Sequence, residues 1–175
     1  MEPDIITYSA LISACEKGGK WEKALALFAE LKQRGMEPDI VNYSALISAC
    51  ETSGRLREAR AVFFDAHSRG CFSKLCSIPG ALDLHELIVP VARVAVRSTL
   101  EDLGRGRRPL VGASTTGEIA IITGRGKNSA GGEAVLRPAI LALLEDEYEA
   151  LECVPDPRNP GRLVVDVSSL LRGSS

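Results

Sequence analysis

Apolar residues recur along positions 1–70 at helical spacing. Tyr8, Leu11, Ile12 and Cys15 fall three and four residues apart, which places them in one stripe of a helix that a neighbour must cover. Gly18-Gly19 breaks this run, since glycine enters turn conformations that other residues resist. A second amphipathic stretch follows with Trp21, Ala24, Leu25, Leu27, Phe28 and Leu31. It stops at Gly35, and Pro38 forbids continuation. The pattern then restarts. Met1-Glu2-Pro3-Asp4-Ile5 returns as Met36-Glu37-Pro38-Asp39-Ile40, and the run from Tyr8 to Glu16 returns unchanged from Tyr43 to Glu51. Aligning 1–35 on 36–70 gives 20 identical positions out of 35. The second copy carries Leu56, Ala59, Val62 and Phe63 on its second helix and stops at Gly70. Two helical hairpins, 1–35 and 36–70, are predicted, each unable to bury its apolar face alone.

Beyond residue 74 the period changes. Residues 75–80 form a linker with Pro79-Gly80 as its turn signal, and Ala81-Leu82-Asp83-Leu84-His85 alternates as a short strand should. A helix is expected from Ile88 to Leu103, with Val91, Val94, Ala95 and Leu100 inward and Arg93 and Arg97 outward. A loop from Gly104 to Gly117 leads to a buried strand, residues 118–122, that runs straight into Thr123-Gly124-Arg125-Gly126-Lys127-Asn128-Ser129. A helix from about Glu133 to Tyr148 and two strands, Leu151 to Val154 and Arg162 to Val167, complete the chain. The order β-α-β-α-β-β over 81–172 predicts a two-layer α/β domain. The fold class is thus α+β overall, with all-α helical-hairpin repeats of the α-solenoid kind preceding that domain.

Composition narrows the class of protein. With 45% hydrophobic and 25% charged residues, the 175-residue chain has the make-up of a folded protein, and no apolar run is long enough to span a membrane. Met1-Glu2-Pro3-Asp4 shows neither the basic segment nor the apolar core of a targeting peptide. The five cysteines include no CxxC pair, and the two histidines complete no zinc spacing. An odd count without a disulfide framework points to a reducing compartment. The net charge of -2 is uneven. Residues 71–140 hold 9 basic and 6 acidic side chains, whereas 141–175 hold 3 and 7. Arg93, Arg97, Arg105, Arg107, Arg108, Arg125 and Lys127 therefore mark the expected phosphate-facing surface, with a solvated arginine-rich loop as the alternative.

The 35-residue unit, with its Pro-Asp-x-x-x-Tyr-Ser-Ala-Leu-Ile opening, central glycine turn and terminal Arg-Gly, resembles the pentatricopeptide repeat over residues 1–74. The Trp-Leu-Gly…Tyr pattern of the protein-binding tetratricopeptide repeat is not seen. The resemblance implies binding of single-stranded RNA, one base per repeat. Matched by position, the base-reading pairs are Ser9 with Asp39 and Ser44 with Lys74, and Ile6 and Val41 are the wedges on which bases stack. Ionised Asp39 accepts only, which favours guanine or uracil, and the small Ser9 leaves room for guanine. Lys74 cannot accept a hydrogen bond, so the second repeat is expected to touch phosphate there. Asp4 falls at the reading position of a repeat that would precede Met1, so further repeats of a longer parent chain are expected.

Leu82-Asp83-Leu84-His85 fits an LDxH motif, and Thr123-Gly124-Arg125-Gly126 fits a TGxG motif about 40 residues later. In that order the two resemble the small MutS-related (Smr) domain over residues 80–172. Glu86 departs from the glycine that often follows LDxH, and puts an extra carboxylate beside the site. Repeats followed by an Smr domain resemble the RNA-processing proteins of chloroplasts and mitochondria. Strand alternation sets Asp83 and His85 on one face, where a carboxylate beside an imidazole can orient a divalent metal or a water and move a proton. The resemblance implies endonuclease chemistry with Asp83 and His85 catalytic, Asp83 the metal-ligand candidate and Mg2+ the cofactor. Thr123, Gly124, Arg125, Gly126 and Lys127 are expected to hold RNA phosphate. Two alternatives stay open: RNA binding without cleavage, and helical hairpins that bind a protein partner.

Overall fold

A computed structural model describes residues 3–111, 116–124 and 134–172. The chain divides into two compact units, Met1–Phe72 and Ser73–Ser175.

The first unit is four helices of equal length, α1 (Ile5–Lys17), α2 (Trp21–Gln33), α3 (Ile40–Thr52) and α4 (Leu56–Ser68). Each hairpin starts on an aspartate whose carboxylate takes up free N–H groups of the first turn. Asp4 accepts from the Thr7 N–H at 2.8 Å, and Asp39 from the Val41 and Asn42 N–H groups at 2.9 Å each. The turns close through Gly19 and Gly54 at φ 64° and 71°, a region that a β-carbon disfavours. Helix α1 packs on α2 and α3, while α3 packs on α1, α2 and α4. Tyr8, Ile12, Ala24, Phe28 and Leu31 are buried, as are Tyr43, Leu46, Ile47 and Phe63. The Phe28 and Tyr43 rings meet edge to face at 5.0 Å, fastening one hairpin to the next. Two expected core positions differ. Leu11 and Leu56 are exposed, because each lies at the side of its stripe, away from the helices that cover Tyr8 and Ile12 or Ala59 and Phe63.

Each hairpin also carries a buried phenol on a carboxylate 22 residues later. The Tyr8 hydroxyl donates to Glu30 and that of Tyr43 to Asp65, both at 2.7 Å. Burial raises the pKa of the Asp65 carboxyl, but hydrogen bonds from Tyr43, Lys32 and Arg69 outweigh that and hold it at about 2.

The second unit opens with a 3-10 turn, Ser73–Cys76, whose buried Leu75 sits where the turn packs on the first strand. Then come β1 (Ala81–Asp83), α5 (Val89–Gly104), β2 (Glu118–Ile122), α6 (Leu136–Glu147), β3 (Cys153–Pro155), β4 (Arg162–Asp166) and α7 (Ser168–Arg172). The expected β-α-β-α-β-β order is present, with the 3-10 turn and α7 added. The sheet runs β1-β2-β4-β3. Strand β1 lies parallel to β2, with Asp83 opposite Ile122, and the other pairings are antiparallel. A parallel pair needs a crossover connection, and α5 supplies it. Strand β1 ends at Asp83, two residues before the expected end. The Leu84 N–H still donates to the Ile122 carbonyl at 2.8 Å, but the chain then turns, with the Leu87 N–H on the Leu84 carbonyl.

Arg97 corrects the outward assignment on α5. It is buried, and its guanidinium donates twice to Glu147 of α6, at 2.7 and 2.5 Å. A fork of fixed geometry suits a carboxylate held by a neighbouring helix, so this arginine joins α5 to α6 and leaves the phosphate-facing set. Among the described residues no helix is long and apolar enough to cross a membrane.

Candidate nucleic-acid interface

In the first unit the two residues expected to read one base are joined by a third. The fully buried Asn42 accepts the Asp39 N–H at 3.1 Å on its carbonyl oxygen and donates its amide N–H to the Ser9 hydroxyl at 2.7 Å. The Ser9 hydroxyl itself donates to the Ile5 carbonyl at 2.7 Å. Its hydroxyl is therefore oriented by the seam between α1 and α3, half-buried but not sealed. Asp39 is exposed, and its cap uses Oδ1 alone, so Oδ2 is turned to no cap donor. Asn42 was not foreseen as part of this arrangement. Its signal was the spacing of an asparagine three residues after a capping aspartate.

Ile6 and Val41, the expected stacking wedges, are 73% and 54% exposed. Apolar side chains kept bare at equivalent positions of two repeats match what a base face would cover. Ser44 is half-buried on α3. Lys74 lies in the second unit, in the 3-10 turn, and its ammonium meets the Glu86 carboxylate at 2.6 Å.

The second unit brings the two sequence motifs together at the carboxyl ends of the parallel pair, the edge at which open α/β sheets bind ligands. His85 lies just past β1 and Gly124 just past β2. A β-carbon on Gly124 would stand 3.2 Å from that of His85, and Gly124 has φ 72°. Glycine is required there twice over, by backbone conformation and by the closeness of the histidine. The Nδ1 of His85 is 2.5 Å from Asp83 Oδ1, and an ionised carboxylate there selects the tautomer with the proton on Nδ1. Glu86 Oε1 stands 3.5 Å from Nε2 of the same ring. The Lys74 hydrogen bond holds the Glu86 carboxyl below its ordinary pKa.

Thr123 has a different part from the one expected. It is buried, its hydroxyl is 3.4 Å from the Gly161 carbonyl, and the N–H groups of Thr123 and Gly124 donate to that same oxygen at 2.9 and 3.2 Å. These donors tie β2 to the turn before β4 and are not turned toward a phosphate. Arg125, Gly126 and Lys127 lie outside the described residues. Among the described residues no group of three or more His, Cys, Asp or Glu side chains is arranged to hold a metal ion. Asp83 Oδ1 is engaged by the imidazole nitrogen.

Residues 3–52 match the PPR repeat family. Residues 41–71 match the PPR repeat. The N-terminal unit is therefore a pair of pentatricopeptide repeats, helical modules that generally bind RNA. These matches end at residue 71. No curated protein matches the chain.

Proposed function

We propose that the repeats hold a single-stranded RNA and that the second unit, which resembles an Smr domain, contacts a phosphodiester of that RNA at the His85 edge. The observation that carries this reading is the meeting of His85 with Gly124 at the ends of two parallel strands. It supports the reading because these residues come from two motifs that lie about 40 residues apart in sequence. In the repeats, bases stack on Ile6 and Val41, Asp39 accepts from a ring N–H, and Ser9 leaves room for a purine. In the second unit Asp83 holds the imidazole so that Nε2 can take a proton from an attacking hydroxyl or water. Asp83 compensates the charge that this leaves on the ring.

Binding without cleavage is the second reading, favoured by the Glu86 carboxylate that stands beside Nε2. Two measurements separate the readings. Binding of a single-stranded RNA that falls steeply with added salt supports phosphate contact, and salt-independent binding, or none, removes it. Cleavage in magnesium-containing buffer should be lost in Asp83→Ala. A variant that cuts as fast as the parent removes Asp83 and His85 from the active site, and a parent that binds without cutting supports the second reading.

A further inference from the structure

Gly124 joins the His85 edge to a second element of the same unit. It lies against the histidine on one side, and its N–H donates to the Gly161 carbonyl at 3.2 Å on the other. Gly161 ends the turn between β3 and β4, and Arg162 opens β4. Asp83 lies opposite Ile122, which lies opposite Arg162. Residues in register share a face of a sheet, so Arg162 stands in the row of Asp83, two strands and about 10 Å away. The turn itself is held in shape. Asp156 accepts the Arg158 N–H at 2.8 Å, Asn159 accepts the Gly161 N–H at 3.1 Å, and Arg137 of α6 donates to the Pro160 carbonyl at 2.5 Å.

The arginines of this turn are not saturated by the fold. Arg158 is exposed. The Arg162 side chain is 41% exposed, its Nε makes no hydrogen bond, and Asp156 Oδ2 stands 3.6 Å from that atom. A shielded donor is normally paired. Charge is also divided along the unit. Arg137, Arg158 and Arg162 gather at the turn against Asp156, whereas Glu145, Asp146, Glu149 and Glu152 lie toward the far ends of α6 and β3. Arg137 and Glu147 are about 15 Å apart along their helix. The acids of the His85 edge are themselves engaged, Glu86 by Lys74 and Asp83 by the imidazole. A polyanion is therefore drawn to the turn and repelled from the opposite end.

We propose that the 156–162 turn is a second phosphate contact for RNA, in which Arg158 and Arg162 hold a backbone phosphate beside the one at the His85 edge. Arg137 fixes the turn that presents them. The proposal rests on the phosphodiester reading of that edge and adds the path by which the strand leaves it, over Gly124 toward β4. The planar fork of an arginine matches phosphate oxygens, and such contacts position a strand without reading its sequence.

The experiment uses the full chain and a short single-stranded RNA, with affinity measured over a series of salt concentrations. Arg158→Gln and Arg162→Gln should each reduce the slope of log affinity against log salt by about 0.7, the value for one phosphate of a single strand, and together by about 1.4. Neither change removes a backbone bond of the turn, so both variants should melt with the parent. If Arg162→Gln melts lower, the exposed Arg158 carries the test. Arg172→Gln, past the far end of β4, removes the same charge and should leave the slope as it is. An Arg172 variant that lowers the slope equally overturns the proposal, since the effect would then be one of net charge. A parent that binds the RNA with turn variants of unchanged slope removes this proposal alone. A parent that binds no RNA removes the phosphodiester reading and the turn contact with it.

Discussion

Helices α1 and α3 share nine consecutive residues, Tyr8–Glu16 and Tyr43–Glu51, yet the same side chains have different surroundings. Leu11 is 43% exposed and Leu46 is fully buried. Ala14 is exposed and Ala49 buried, and Cys15 is half-buried where Cys50 is sealed. Helix α3 has α1, α2 and α4 around it, whereas α1 packs on α2 and α3. Identical sequence thus encodes one helix and one core face, and the number of neighbours decides how much of the rest is taken out of water. Stability in a stacked repeat belongs to the interfaces as well as to the units.

The largest test of this contrast is a matched pair of truncations. Leu46→Ala should cost about 2–5 kcal/mol, the range for a leucine removed from a packed site, and Leu11→Ala about 0.5 kcal/mol or less, as at exposed positions. Urea denaturation of both variants measures the difference, and equal losses would end the contrast. Asn42→Ala comes next, at about 1–3 kcal/mol, because it leaves the Asp39 N–H and the Ser9 hydroxyl without their partner in a buried seam. It should also weaken RNA binding by releasing Ser9, whereas Thr7→Ala, at the equivalent exposed position of α1, should be smaller in both assays.

The phenol–carboxylate pairs give a contrast in pH. The folded-state pKa of Asp65 is depressed from 3.8 to about 2. Its contribution is therefore complete above the unfolded value and is lost as pH falls from about 4 to about 2. Asp65→Asn should flatten the acid limb of a thermal-melting profile, and an unchanged limb would remove Asp65 as its source. The smallest effect concerns the cysteines. Burial pushes the Cys50 thiol up to about 11, so its thiolate is about a hundredfold scarcer than that of an ordinary thiol at pKa about 9. A thiol reagent should label half-buried Cys15 well before Cys50, and simultaneous labelling would show that α3 opens as readily as α1.

The helices, the glycine turns between them and the order of strands along the chain were legible because each follows from local chemistry. The glycine turns and the period of Tyr8, Ile12 and their repeats needed no partner to be read, whereas the capping role of Asp4 and Asp39 came from the structure. Arg97 was misassigned because an arginine on an amphipathic helix is usually solvated, and only the arrival of Glu147, 50 residues later, makes burial tolerable. The repeat site was half legible: Ile6, Val41 and Ser9 sit on α1 and α3 as spacing requires, but the bond that orients Ser9 comes from another helix.

In the second unit, residue spacing anticipated that Asp83 and His85 meet, but they do so through the turn that follows β1, since the strand ends at Asp83. Their position against Gly124 was settled by the parallel pairing of β1 with β2. The burial of Thr123 was settled on the other side of β2, where its hydroxyl meets a carbonyl of the turn before β4. Sequence alone determined two hairpins, one mixed unit and the chemical types available at the site. The tertiary fold decided which of those groups face solvent, which neutralise one another and which nitrogen of His85 Asp83 engages. The physical reason is range: caps and periodicity act within a turn or two of chain, but desolvation and charge pairing depend on whatever the fold brings within a few ångströms.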